Sequence, residues 1–284
     1  MAGPDESEHG TLMTSPTLVG CWAKLRRADL HLQELNEEIG DYVAEDHSRK
    51  VSTYDEAKQL SELRIEVGEP PNDLLWSVIL GDFLHNVRSA LDHLVWQLVL
   101  LAGKQQPGRQ HQFPIAMTKE SYERPDGLRD RCLAGVAEEH RAIIDRVQPF
   151  RLGDDVSDHS LAHLRRLSNA DKHRILPVTM FMTQAPEEDD FVLYDADDDC
   201  EIEIELPVGR LAVSETLAIV RVKGAKSANA VTLAGQLRIE FGFLDADGHS
   251  LTVSSFRALW ERVGSLIFEF KDAFGAAGEI VPLL

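Results

Sequence analysis

The sequence predicts an α+β fold in which an N-terminal helical bundle is followed by an antiparallel β-sheet covered by a C-terminal helix. The spacing of the hydrophobic residues supports this prediction. They recur every three to four positions up to about residue 174, as in amphipathic helices, and every second position after it, as in strands. The chain has 284 residues, of which 43% are hydrophobic, and this is enough to bury a full core.

These patterns divide the chain into three parts. Residues 1–15 are acidic and lack an apolar stretch, so we expect a disordered tail. Residues 16–174 are predicted to form a helical domain, and residues 175–284 an antiparallel β meander with a C-terminal helix.

The helical domain begins with an amphipathic helix whose apolar stripe runs from Trp22 to Tyr42. A weak extended stretch follows at 60–67. Asn72 comes after two prolines, and it can cap a long helix that runs to Gly103. The remaining elements are an anchored loop at 113–115 and helices at 126–134, 137–147 and 158–174.

Alternating residues after position 174 predict strands joined by short polar turns. The predicted strands are 175–184, 191–194, 200–206, 216–223 and 231–243. In 201–206, glutamates alternate strictly with apolar residues, so one strand face is expected to be buried and the other to carry solvated carboxylates. The apolar residues of 255–274 share one helix face, and this last helix is expected to end at Gly275.

The net charge of −19 disfavours a polyanionic partner for the chain as a whole. The charge is unevenly distributed, however. Residues 187–205 contain eleven acids and no base, and this segment suits a basic protein partner. Residues 104–174 contain thirteen Lys and Arg against eleven Asp and Glu, so that part of the chain is compatible with a nucleic-acid site.

Cysteine usage and apolar runs indicate the compartment. Cys21, Cys132 and Cys200 lie far apart, which argues against a disulfide framework, a thiolate zinc site and a redox motif. A bacterial, cytoplasmic protein is expected. The most apolar stretch, 94–102, is too short to span a bilayer, so no membrane association is predicted. Phosphate-loop, dinucleotide and nucleophile-elbow motifs are absent from the sequence, so no cofactor is predicted.

The long helix carries a distinctive polar face. On a helical wheel an arc of about 100°, with Arg88 at its margin, holds Asp82, His85, Asn86, Ser89, Asp92 and His93. A solvated helix face is usually rich in Lys and Glu, and neither occurs from residue 74 to 103. Short polar side chains and imidazoles favour fixed hydrogen bonds, so this face predicts a partly buried polar site.

A second polar cluster lies on the predicted helix 158–174. Five residues gather opposite its apolar stripe: His159, His163, Arg166, Asn169 and His173. Arg166 and His173 are two turns apart. Lys172 and Arg174 are interpreted as complements to the exposed carbonyls at the helix C-terminus.

Two segments resemble a signature shared by a set of uncharacterised bacterial proteins. They are Gly81-Asp82-Phe83-Leu84-His85-Asn86-Val87-Arg88-Ser89-Ala90-Leu91-Asp92-His93 and Asn169-Ala170-Asp171-Lys172-His173-Arg174. Arg88 and His93 also resemble the Arg-x4-6-His motif of HEPN domains, and Arg166 and His173 fit the same spacing. HEPN domains are helical nucleases that cut RNA without metal, often in toxin and antiphage systems.

This resemblance implies a metal-independent RNA endonuclease. In that role His93 would take a proton from a ribose 2′-hydroxyl and Arg88 would hold the scissile phosphate. Asn86 and Asp92 would orient those two groups. HEPN nucleases usually dimerise, so either a homodimer or the pair Arg166 and His173 within one chain would complete the site.

Two other interpretations stay open. The polar face can be a structural hydrogen-bond network in a non-enzymatic binding or regulatory protein. Alternatively, a divalent metal used for hydrolysis could be held by Asp82, His85, Asp92 and His93, although no Glu-x-x-His motif occurs on this helix. The aspartates at 195–199 and 245–247 are interpreted as hairpin loops.

Overall fold

The computed structural model describes residues 15–45, 47–103, 107–182, 187–206, 216–234, 239–245 and 247–278. The predicted tail, residues 1–15, lies outside these ranges except for its last residue. The rest is an α+β fold with helices at both ends of the chain and antiparallel strands, as predicted. No helix in the described ranges has the length and hydropathy that a bilayer crossing requires.

Two long helices form the centre of the helical part. They are α1, Val19–Ala44, and α2, Asp73–Leu101. The Asn72 side chain accepts a hydrogen bond from the amide of Leu75 at 3.2 Å and caps α2 as predicted. The predicted apolar face of α2 is fully buried, and it consists of Leu80, Phe83, Leu84, Val87, Leu91, Leu94 and Leu98.

Four shorter helices complete the helical part. They are α3, Lys119–Glu123, α4, Leu128–Cys132, α5, Glu138–Arg146, and α6, Ser160–Asp171. Helix α3 was not predicted, and the hydroxyl of Thr118 caps it. The helices predicted at 126–134 and 158–174 are shorter than expected. The second one begins two residues late, after a 3-10 segment at Pro149–Asp158 that Gly153 interrupts with a φ of 62°.

The anchored loop predicted at 113–115 is confirmed as a buried connection between α2 and α3. Its backbone is held by Gln148, which is itself buried. The Gln148 amide nitrogen donates to the carbonyl of Pro114 at 3.0 Å, and the amide oxygen accepts from the backbone N–H of Ala116 at 3.0 Å. A loop whose polar groups are satisfied in this way can form a rigid wall.

The largest sheet draws strands from both halves of the chain. Its strand order is β1-β2-β6-β5, with β1 at Ser48–Asp55, β2 at Leu60–Val67, β5 at Ala196–Glu205 and β6 at Thr216–Ala225. The stretch that seemed only weakly extended is therefore an interior strand, and it buries Leu63 and Ile65. Strand β1 was missed because it lies at the sheet edge and is mostly exposed.

The remaining strands form two small sheets. One has the order β3-β8-β9, from Val178–Met182, Ile239–Leu244 and Ser250–Thr252. The other pairs β4, Phe191–Leu193, with β7, Val231–Leu233. The single strand predicted at 231–243 is therefore divided between two sheets, and the strands do not form one continuous meander.

The carboxylates of β5 are ion-paired rather than only solvated. Glu201 bonds with Lys223 at 3.2 Å and Glu205 with Arg221 at 2.6 Å, both across to β6. The alternation predicted for this strand is confirmed, because Ile202 and Ile204 pack on the core. Part of the acidic segment 187–205 is thus compensated within the sheet.

The C-terminal helix joins the sheet to the helical part. It was predicted as one helix and forms two, α7 at Val253–Phe268 and α8 at Lys271–Phe274, before the predicted end at Gly275. The ring of Phe256 lies 5.8 Å from Phe243 of β8 and 5.9 Å from Phe83 of α2. One side chain therefore packs against both a strand and the central helix.

Helices α2 and α6 approach closely at a glycine. The Asp171 carboxylate at the end of α6 lies where a side chain at Gly81 would begin. Burial and the charge of Asp82 both raise the pKa of Asp171. Gly81 therefore fixes the distance between the two helices that carry the polar clusters.

We expect Gly81→Ala to have a free energy of unfolding about 1 kcal/mol below that of Gly40→Ala, because its new methyl group must displace the Asp171 carboxylate. Chemical denaturation measures this difference. Gly40→Ala on α1, where nothing lies within 4 Å of the new atom, is the matched control and should stabilise by about 0.5–1 kcal/mol. Adding Asp171→Ala to Gly81→Ala should remove most of this difference, and a double variant as unstable as the single one would refute this packing argument.

Candidate functional site

A cleft of about 580 Å³ opens between α2, the loop at 110–115, α4 and α6. Residues from both sequence motifs line it. From α2 come His85, Arg88, Ser89 and Asp92, and from α6 come Arg165, Ser168, Asn169 and Lys172. The loop supplies Phe113, Pro114 and Ile115, and Arg131 and Cys132 close the end at α4.

The cleft is strongly basic although the chain is acidic. Four cationic side chains, Arg88, Arg131, Arg165 and Lys172, face a single carboxylate, that of Asp92. Over the described part of the chain, ion pairs account for Arg88 but for none of the other three cations. In a protein of net charge −19, three exposed cations without an ion pair to a described residue give this cleft a local positive charge, which suits an anion.

Arg88 and Asp92 form a fixed wall of the cleft. The Arg88 guanidinium donates a hydrogen bond to one Asp92 oxygen at 3.3 Å and to the carbonyl of Phe113 at 2.7 Å, and it forms an ion pair with the other Asp92 oxygen at 3.0 Å. Asp92 also accepts the backbone N–H of Phe113 at 2.8 Å. This network attaches the loop to α2, so Arg88 reaches a ligand only with its remaining donors.

The imidazole in the cleft is that of His85. Its Nε2 lies 3.4 Å from the hydroxyl of Ser89, one helical turn later. His85 is exposed, and Lys172 and Asp171 of α6 lie near enough for charge interactions with this part of the cleft. The site therefore combines an accessible acid–base group with neighbouring cations.

His93 is not among the residues that line the cleft. It lies against α1, where a side chain at Gly20 would begin 3.0 Å from its Nδ1. Burial and the positive charge of Lys24 lower the pKa of His93, and the charge of Asp92 only partly opposes them. Because His93 follows Asp92 directly, it is rotated by about 100° on the helix and points away from Arg88.

Asn86 also lies outside the cleft lining. It is buried, and its amide donates to the carbonyl of Asp82 at 2.8 Å, one turn earlier in α2. Of the four residues Arg88, His93, Asn86 and Asp92 that the sequence grouped as a site, the structure brings only Arg88 and Asp92 together in the cleft. A helical wheel gives the angle of each side chain around the helix axis, but it does not show which neighbouring element each side chain contacts.

In the second cluster, Arg166 is held in the interior. Its guanidinium donates to the buried carboxylate of Asp245 at 2.6 Å, to the carbonyl of Ser157 at 2.8 Å and to Nδ1 of His163 at 2.7 Å. Its side chain is only 10% exposed. Arg166 is therefore a structural contact between α6 and the sheet, and His173, which is exposed, does not pair with it.

A second groove of about 510 Å³ adjoins the cleft. It shares Arg165 and Asn169 with the cleft. It is otherwise lined by Met117, Ser157, Arg166, Ala170, His173, Arg174 and Asp247. Asn169 and His173, both predicted from the sequence, are thus surface residues of this groove, and Asn169 also lines the cleft.

Sequence reasoning missed three cationic residues of the cleft. Lys172 was assigned to the helix end, and Arg131 and Arg165 were not singled out. A signal existed for α6, because Arg165, Asn169 and Lys172 are spaced by four and three residues and so share one face. Arg131 carries no such signal, since the fold of the loop brings it to the cleft.

A group of metal-ligand type occurs at one turn. Ligand atoms of Asp245, Asp247 and His249 lie within 4.8 Å of one another. The Asp245 carboxylate, however, already accepts from Arg166 and from the backbone N–H groups of Asp247 and His249. This hydrogen bonding fits the predicted hairpin turn, with Gly248 at a φ of 81°.

Comparison with known proteins found no matching family model, no similar curated protein and no similar solved structure. The resemblance to HEPN domains therefore stays a prediction.

Asp92→Ala should lower the free energy of unfolding by about 1–3 kcal/mol, because it leaves the Phe113 amide and the Arg88 guanidinium without their acceptor. Thermal or urea unfolding measures the change. Asp82→Ala on the same helix face is the matched control, since the Asp82 side chain is exposed, and it should change stability by less than about 0.5 kcal/mol. Equal effects of the two substitutions would contradict the proposed anchoring of the loop.

The free energy of unfolding should fall as the pH is lowered from about 7 to 5. Burial, followed by the charge of Arg166, lowers the pKa of His163, and burial also lowers those of His93 and His159. The unfolded chain therefore binds more protons in this range, so acid destabilises the fold. His163→Asn keeps an acceptor for Arg166 without the titration, and denaturation at each pH should show a shallower decline. A decline as steep as that of the parent protein, with equal stability at pH 8, would disprove this role for His163.

Proposed function

We propose that this protein binds RNA in the basic cleft and cleaves its phosphodiester backbone. The observation that carries the proposal is the group of three cations, Arg131, Arg165 and Lys172, that face one cleft and form no ion pair with the residues the structure describes. Arginine binds phosphate, as it binds carboxylate, through paired N–H donors. A phosphate backbone bound in the cleft would interact favourably with all three cations.

The cleft offers acid–base chemistry together with cationic binding groups. His85 is its accessible imidazole, and imidazole exchanges protons near neutral pH. The thiol of Cys132 is a poor nucleophile, because burial raises its pKa. RNA supplies its own nucleophile, the ribose 2′-hydroxyl, so a base and cations are sufficient for cleavage.

The proposed reaction transfers the phosphoryl group within the RNA. His85 takes the proton of the 2′-hydroxyl, the 2′-oxygen bonds to phosphorus, and the bond from phosphorus to the 5′-oxygen breaks. The departing 5′-oxygen takes up one proton from water and His85 releases its proton to water, so the products are a 2′,3′-cyclic phosphate and a 5′-hydroxyl. Lys172 and Arg131 would stabilise the negative charge that develops on the phosphate oxygens.

This assignment revises the role of the histidines but keeps the function that the sequence resemblance implies. His85 replaces His93 as the general base, because His85 lines the cleft and His93 lies against α1. Arg88 becomes mainly a positioning residue that holds Phe113 in the wall of the cleft.

A second candidate function is RNA binding without cleavage. The network of Arg88, Asp92 and Phe113 favours it, because these hydrogen bonds use the most motif-like residues for structure. In this case the cations of the cleft would still hold phosphate, and His85 would act only as a further donor. Cleavage by the parent protein separates the two candidates.

The test is cleavage of a fluorescent single-stranded RNA in EDTA by the parent protein and by His85→Ala and His93→Ala. We expect His85→Ala to reduce the rate by about 10²–10⁴-fold, the usual contribution of a general base. His93→Ala is the matched histidine control, and its rate should stay within a few-fold of the parent rate. Products should carry a 2′,3′-cyclic phosphate, detectable by mass spectrometry.

Binding is measured in parallel with a 2′-O-methyl RNA, which cannot react. Lys172→Ala should weaken binding by about 10-fold, whereas His85→Ala should keep most of it. RNA bound tightly but never cut would favour the second candidate. If Lys172→Ala binds as well as the parent protein, the cleft is not the RNA site. If His93→Ala alone abolishes cleavage while folded, the assignment of the base is wrong.

A further inference from the structure

We infer that the groove beside the cleft is a second RNA subsite, so that the ligand is a single strand crossing helix α6 rather than one nucleotide. This inference rests on the proposed function. It concerns the groove of about 510 Å³ that holds Met117, His173 and Arg174. None of these three residues lines the first cleft.

The two depressions meet on one ridge. Arg165 and Asn169, one turn apart on α6, line both of them. In the last turn, Lys172 faces the first cleft, whereas His173 and Arg174 face the second groove. A ligand that fills both depressions must therefore pass over Arg165 and Asn169, and only a chain-like molecule does so.

The charges along this path suit a phosphate backbone. Arg174, like Arg165, has no carboxylate partner in the described ranges. The second groove also contains Asp247, but this carboxylate lies 3.8 Å from Arg166, which faces it. Four cations without an ion pair in the described ranges therefore line the two depressions: Arg131 and Lys172 line the cleft, Arg174 lines the groove, and Arg165 lines both.

The second groove also offers surfaces for a nucleobase. Met117 and Ala170 supply an apolar floor, and the exposed imidazole of His173 provides an aromatic face. Bases of single strands stack on such rings, whereas the bases of a duplex are already stacked on each other. The combination of a cation and a stacking surface therefore favours unpaired RNA.

The experiment measures the binding of 2′-O-methyl RNAs of one, four and eight nucleotides by fluorescence anisotropy over a range of salt concentrations. For the parent protein we expect the four-nucleotide RNA to bind at least about 10-fold more tightly than one nucleotide. With four cations on the path, the slope of log K against log salt should be about −3, that is, −0.7 for each phosphate contact.

Two variants remove the second subsite without touching the first. Arg174→Ala should reduce the magnitude of the salt slope by about 0.7 for the eight-nucleotide RNA and leave the binding of one nucleotide unchanged. His173→Ala should weaken the binding of the longer RNAs by about 5- to 150-fold if a base stacks there. Arg27→Ala, an exposed arginine on α1 that lines neither depression, is the matched control and should change nothing. Arg174→Gln is a second variant that removes the same charge and should match Arg174→Ala. Circular dichroism verifies that all variants are folded.

The outcomes separate the inference from the proposed function. If Lys172→Ala weakens the binding of every RNA but Arg174→Ala and His173→Ala weaken none, the cleft stands as the RNA site and the second subsite is refuted. Tighter binding of a duplex than of a single strand of equal length would also refute it. If Lys172→Ala has no effect on any RNA, the proposed function fails first, and the inference fails with it.

Discussion

The carboxylate of Asp92 is the interaction on which the candidate site depends. It binds Arg88 on its own helix and the backbone N–H of Phe113 on the facing loop, and Arg88 in turn binds the Phe113 carbonyl. The backbone N–H and the carbonyl of Phe113 thus both bind side chains of α2. These contacts are partly buried, where charge-assisted hydrogen bonds are strong. Gln148 holds the next residues of the same loop from the other side. The cleft therefore has a rigid wall before any ligand enters.

The helices could be predicted from sequence because their signals are local. The bounds of α2 follow from the cap at Asn72 and from one continuous apolar face. The sheets could not be predicted to the same extent, because strand pairing joins distant segments. Strand β2 lies against β6, more than 150 residues later, and no local pattern contains that partner. The predicted long strand at 231–243 failed for the same reason, since alternation reveals a strand but not which sheet it joins.

The candidate site shows the same limit at the level of side chains. Four residues singled out from the sequence, Arg88, Asp92, His85 and Asn169, line the cleft. It could not distinguish a ligand-facing arginine from a buried one, because the partner of Arg166 is Asp245, which comes 79 positions later. The spacing of Arg166 and His173 fits a motif, yet the fold uses the arginine to neutralise a buried carboxylate. A cationic side chain is available for a ligand only when no carboxylate of the protein pairs with it. Such pairing depends on the tertiary structure and is not visible in the sequence.

Charge segregation makes an RNA site compatible with a net charge of −19. The acidic segment on β5 lines neither depression, and bases of β6 already pair with Glu201 and Glu205. Exposed charges act over a Debye length of roughly 8 Å at physiological salt, so a ligand in the cleft interacts mainly with its own walls. Those walls hold cations that the rest of the chain leaves uncompensated. The acidic exterior would still slow the approach of RNA from a distance. Binding would then depend on close contacts inside the cleft, and this favours a site that selects its ligand by shape over one that binds any polyanion.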